Sequence, residues 1–198
     1  MSSETDEVVP IGDLKRQLPG VEGVWVFVMA DMTVFAVLFG FFMVGRHQDP
    51  ALFEASRHAL NPNFGGVNTL ILLTSSWFAA LALDAVRKSR FVLAQRFIGG
   101  AFLSGVAFTV SKAIEYTEKL NDGISLLTND FFMYYFTLTG IHLFHVIAGS
   151  IVLLVMWFKA RSRSFDPQRP VVLECGTIYW HMVDLLWIIL FPLLYLVR

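Results

Sequence analysis

The chain has 198 residues, 56% apolar and 16% charged, with a formal net charge of −1 at pH 7 and a mean hydropathy of +0.61. A charged fraction so far below the roughly 25% of soluble domains leaves too few polar residues to coat a globular surface, which excludes a soluble enzyme domain. Basic residues fall in short segments beside apolar stretches, so no face suits nucleic acid, and the single cysteine, Cys175, excludes an internal disulfide, a CxxC redox pair and a thiolate metal cluster.

Residues 1–23 are polar and acidic, with no basic n-region and no cleavage site after the first apolar run. They read as a cytoplasmic N-terminal segment preceding a retained first helix, not as a cleaved signal peptide. Five apolar stretches follow, at 24–44, 65–86, 97–116, 131–158 and 171–197. Each is long enough for the about 20 residues that a helix needs to cross the hydrocarbon core. The fold class is therefore an all-α polytopic membrane protein, a five-transmembrane-helix bundle.

The first span holds Asp31, with no basic residue in reach along its own helix, so its partner must come from another span or from water. His47 and His58 fall in the loop that follows. The third span is the weakest, because Lys112 and Glu115 lie near its end. Their i,i+3 spacing reads as a local, snorkelling charge pair and ranks Glu115 below Asp31 as a functional carboxylate. Gly100 and Ser104, like Ala101 and Gly105, place small residues four apart on this span and let a neighbouring backbone approach.

The fourth span carries His142 and His145, and the fifth carries His181 and Asp184. Residues three apart share a helix face, and at about 1.5 Å per residue both pairs lie at a similar, central depth. The short connection makes these spans antiparallel neighbours, and the two pairs are expected to face one another or a common polar pocket. Three readings stay open for such a cluster: haem ligation, a proton or lipid site, or a hydrogen-bond network that locks helices together. Nucleotide, zinc-protease and serine-hydrolase motifs are absent from the sequence.

Loop charges predict the orientation. Lys15, Arg16, Arg87, Lys88, Arg90, Arg96, Lys159, Arg161, Arg163 and Arg169 fall on one face, against Arg46, Arg57, Lys119 and Arg198 on the other. The positive-inside rule then places the N-terminus in the cytoplasm. Trp25 and Trp157 fall at the inner helix ends, with Tyr116, Tyr134, Tyr135 and Tyr195 toward the outer ends, as an interfacial aromatic belt would.

Four segments in order carry a family resemblance: Asn68-Thr-Leu, Glu115-Tyr, Thr139-Gly-Ile-His-Leu-Phe-His-Val-Ile-Ala-Gly, and Tyr179-Trp-His-Met-Val-Asp-Leu-Leu-Trp. From about Pro19 onward the chain resembles the subunit III family of haem–copper oxidases, in its shorter bacterial five-helix form. The resemblance implies a subunit with no haem or copper of its own, bound to the side of a catalytic subunit that carries both. It also implies a link to sustained proton uptake and complex stability, and membrane phospholipids as partners. The lipid cleft of the seven-helix members would lack one wall here. Glu115 in Ala-Ile-Glu-Tyr matches the family's intramembrane glutamate, and Asp31 stands where the family often has one. His142, His145, Trp180, His181 and Asp184 match recurrent polar positions. Lys112 departs from the neutral residue expected and could neutralise Glu115.

Thr128-Asn-Asp-Phe-Phe-Met and residues 180–195 resemble most the subset associated with bacterial nitric oxide reductases (NorE-type), as do Pro19-Gly-Val-Glu-Gly-Val-Trp-Val-Phe and Ala30-Asp-Met. The expectation is an accessory inner-membrane subunit of a nitric oxide reductase in a denitrifying respiratory chain. The alternative is subunit III of a terminal cytochrome c oxidase, and an alternative of another class is a small independent transporter.

Overall fold

A computed structural model describes residues 19–196. Lys15, Arg16 and most of the predicted N-terminal segment, together with Val197 and Arg198, lie outside the described residues. The elements run α1 (Glu22–Gln48), α2 (Pro50–Arg57), α3 (Pro62–Arg87), α4 (Phe91–Asn121), α5 (Asp130–Arg161) and α6 (Val171–Phe191), ending in a π-turn over Pro192–Leu196.

Helix starts follow local chemistry. Asn61 and Asn129 accept backbone N–H groups of Asn63 and Phe132, each at 3.0 Å, which satisfies donors that no helical carbonyl can reach. Asp49 does the same for Leu52 at 3.0 Å, and Pro50 in the first helical position lacks the N–H that would otherwise be orphaned. The resulting α2 falls where the sequence reading had a loop. Its Phe53 is buried among Phe42, Phe131 and Tyr134. The Asp-Pro start and the inward spacing of Phe53 and Ser56 were the available signals.

Among the described residues, five helices are long and apolar enough to cross a membrane, as predicted. α4 exceeds its predicted bounds on both sides, so roughly two and a half turns of helix lie beyond Lys112. Large apolar side chains such as Leu70, Trp77, Leu103, Phe144 and Ile151 stand exposed around the bundle. On a soluble protein such a belt would be a liability, whereas in lipid it is the expected exterior. The chain is a multi-pass membrane protein.

α3 packs on α4, α4 on α5, α5 on α6 and α6 back on α3, which makes a four-helix ring. α1 lies outside it, against α5 and α6. Half of the apolar window of α6 is buried, against 11% for α1, so α6 is the hub and α1 a peripheral staff.

Trp180 locks the ring. A Cβ on Gly149 would lie 2.6 Å from its indole, and one on Gly105 would lie 2.9 Å away, so only glycine admits the ring at either position. Its N–H donates to Ser75 Oγ at 2.9 Å, and Ser75 donates to the carbonyl of Ala101 at 3.0 Å. α6, α3 and α4 thus meet at one buried serine. The small residues predicted on the third span serve this packing: Gly105 receives Trp180, and Gly100 receives the ring of Phe78.

Candidate functional site

Among the described residues, three hydrogen-bonded polar clusters within the spans join different helices. The most enclosed is built on α4. Lys112 and Glu115 are 0% and 1% exposed and pair at 2.8 Å. The snorkelling reading is therefore corrected: α4 continues past both residues and α5 and α6 close over them, so Lys112 has no path to an interface. Its Nζ also donates to the Tyr195 hydroxyl at 2.9 Å, with a longer contact of 3.4 Å to that of Tyr135. The Tyr195 hydroxyl in turn donates to Glu115 Oε1 at 2.6 Å. Rings of Trp187, Tyr135, Tyr195 and Tyr116 lie 5.0, 5.1, 5.5 and 5.7 Å from the ammonium, within cation–π range.

Tyr135 and Tyr195 were expected in an interfacial belt, but both are buried and serve this ion pair. The π-turn that begins at Pro192 carries Tyr195 inward. From the other side, Arg57 on α2 donates to the Tyr195 backbone carbonyl at 3.3 Å. Sequence reasoning had no signal for this arrangement beyond Pro192 itself. Nearby, Thr139 donates to the carbonyl of Tyr135 at 2.6 Å, so its 2.6 Å bond with Tyr116 requires the tyrosine to donate.

The second site joins α1 to α5. Asp31 does find its partner on another span: its Oδ1 lies 3.1 Å from His145 Nε2. His145 Nδ1 lies 2.8 Å from the carbonyl of Ile141, which can only accept, so Nδ1 carries a hydrogen. The Asp31–His145 bond then needs one more proton, either on Nε2 or on the carboxyl. Tyr179 donates to the backbone carbonyl of His145 at 3.2 Å and so ties α6 to the same turn.

The third site joins α6 to α3, where His181 Nδ1 is hydrogen-bonded to Ser76 Oγ. Asp184 lies beside the same serine, but both its carboxyl oxygens are buried without a hydrogen-bond partner among the described residues. His142 is likewise sealed with both ring nitrogens unpartnered, between Phe108 and Trp187 at centroid distances of 5.6 and 5.3 Å.

The expectation that the two pairs share one pocket is thereby corrected. Residues three apart are still roughly 60° apart around a helix, and in a crowded ring that angle separates neighbours. His142 turns toward α4 and α6 while His145 turns to α1, whereas His181 and Asp184 stay together at Ser76 of α3. α5 and α6 are packed neighbours, as predicted. No three His, Cys, Asp or Glu side chains converge as a metal-ligand set among the described residues.

Comparison with known proteins matches residues 18–197 to the family model described as cytochrome c oxidase subunit III. A subunit 3 of cytochrome bo(3) ubiquinol oxidase from Pseudomonas aeruginosa is 30% identical over 176 residues, covering 89% of this chain and 84% of that protein. A cytochrome c oxidase subunit 3 from Corynebacterium diphtheriae is 28% identical over 178 residues, covering 89% and 87%. One from Synechocystis sp. is 30% identical over 175 residues, covering 88% and 74%.

Proposed function

Because this chain belongs to the cytochrome c oxidase subunit III family, we propose that it is a non-catalytic accessory subunit bound to the flank of a haem–copper-type oxidoreductase. Its role in that complex is assembly, stability or full activity, with haem and metal held by the partner. The observation that carries this reading is where the polar side chains go. Lys112, Glu115, Asp31, His145, His181 and Trp180 are bonded within or between helices and fasten them together, as a scaffold requires.

The partner we favour is a nitric oxide reductase, on the strength of residues 128–133 and 180–195. The second reading is an oxygen-reducing oxidase, favoured by the names of the relatives, which are oxidase subunits. The protein resides in a bacterial cell membrane with the end that holds Arg87, Lys88, Arg90, Arg96, Lys159, Arg161, Arg163 and Arg169 in the cytoplasm. Phospholipids are proposed partners too. Arg90, Arg96 and Arg163 line an open recess of about 460 Å³ at that end, suited to anionic headgroups.

The test is to extract the tagged chain from native membranes in mild detergent, then identify what accompanies it and record its spectrum. A partner with b- and c-type haems that reduces nitric oxide supports the favoured reading. An a-type haem with oxygen consumption moves it to the second. A colourless chain, with the catalytic protein still intact in the unbound fraction, refutes the accessory role.

A further inference from the structure

One flank of the hub helix is uncovered. α1 and α3 both contact α6, and between them Ile178, His181, Leu185 and Ile188 emerge unburied, at successive spacings of three, four and three residues. That 3–4 alternation is the seam by which one helix packs along another at a shallow angle. Trp25, Val28 and Met32 of α1 form a wall, and with Ile178, His181 and Leu185 they enclose an apolar groove of about 260 Å³.

His181 is the polar feature of this groove. Its Nδ1 is held by Ser76, while its other ring nitrogen has no hydrogen-bond partner among the described residues and is not sealed in the interior. Ten residues separate it from the start of α6, or about 15 Å of rise, which is half the hydrocarbon thickness. Acyl chains offer this nitrogen no hydrogen bond, and phospholipid headgroups lie too far away. A polar atom left unmatched at that depth is costly. The occupant that satisfies both the seam and the imidazole is a helix with one polar side chain at mid-span.

We propose that the α1–α6 groove seats a transmembrane helix of the catalytic partner, with a hydroxyl, amide or carboxyl side chain hydrogen-bonded to His181. This rests on the accessory-subunit reading and specifies the face by which the subunit docks.

The test places a photoreactive benzoylphenylalanine at Leu185 or Ile188, and as controls at Phe144 or Ile151, exposed positions of α5 outside the groove, within the native complex. Adducts are identified by mass spectrometry. The groove positions should cross-link to the haem-bearing catalytic chain and the controls should not. His181→Leu should lower recovery of that chain about tenfold, and His181→Gln, which keeps a hydrogen-bonding group, should restore most of it. Should His181→Leu also alter the unfolding of the isolated subunit, the cross-links alone decide. Adducts to the catalytic chain from the controls only, or lipid adducts alone from the groove while that chain still co-purifies, overturn the docking face and leave the accessory role standing. Absence of any haem-bearing chain with the unmodified protein removes both.

Discussion

Replacing Glu115 by Gln leaves the Lys112 ammonium buried at 0% exposure without its carboxylate, and replacing Lys112 by Met leaves the converse. Removing one member of a buried pair costs about 3–5 kcal/mol, because the survivor keeps its desolvation penalty and loses its compensation. The two losses are unequal here. The stranded cation retains two hydroxyl oxygens and four aromatic rings, at 5.0 to 5.7 Å, whereas the stranded carboxylate retains the Tyr195 hydroxyl. We expect about 3 kcal/mol for Glu115→Gln and about 5 kcal/mol for Lys112→Met. The double variant, with no charge to strand, should fall within about 1.5 kcal/mol of the parent. Unfolding in a sodium dodecyl sulfate titration, followed by tryptophan fluorescence, reads all four corners of the cycle, and Trp187 beside the ammonium is a local reporter. If the double variant costs as much as the two single changes together, the pair is not coupled and the reasoning fails.

The same titration checks three further expectations. Tyr195→Phe removes a donor to Glu115 and an acceptor from Lys112 and should cost about 2 kcal/mol; an unchanged midpoint would show that the π-turn is held by packing alone. Gly149→Ala forces a methyl group against the Trp180 indole and should cost about 1–3 kcal/mol, while Gly66→Ala, with open space around it, should be near neutral. Equal effects at the two glycines would rule out the wedge. Asp31→Ala should weaken the hold on α1 by about 1–3 kcal/mol and Asp31→Asn by less, since an amide can still bond His145. Equal loss in the two would mean that charge, not the hydrogen bond, holds α1.

The five spans were legible because crossing a membrane demands a long apolar run, a signal stronger than local propensity. The need of Asp31 for a partner on another span was legible for the same reason. What escaped was azimuth. Sequence spacing puts His142 and His145 on one broad face, but which neighbour each meets depends on how α1, α4 and α6 pack around α5. The role of Lys112 escaped because burial depends on where α4 ends and what the π-turn brings over it, neither of which the i,i+3 spacing encodes. Tyr135 and Tyr195 carry the composition of a belt and are set apart from one only by their contacts with that lysine.

The pairing of Lys112 with a residue three positions ahead on the same helix also bears on how the protein is made. Tyr195 lies 80 residues after Glu115, and Tyr135 also follows on a later span, so neither hydroxyl is packed against Lys112 when α4 first reaches the translocon. A lone lysine in mid-helix costs about 2.5–3.5 kcal/mol to insert. With its counter-charge one turn away, the Lys112–Glu115 pair enters the lipid already neutral, and the tyrosines complete the site when the last helix arrives. Had the carboxylate been carried by α6, the lysine would have had to wait in the bilayer uncompensated while two more spans were threaded.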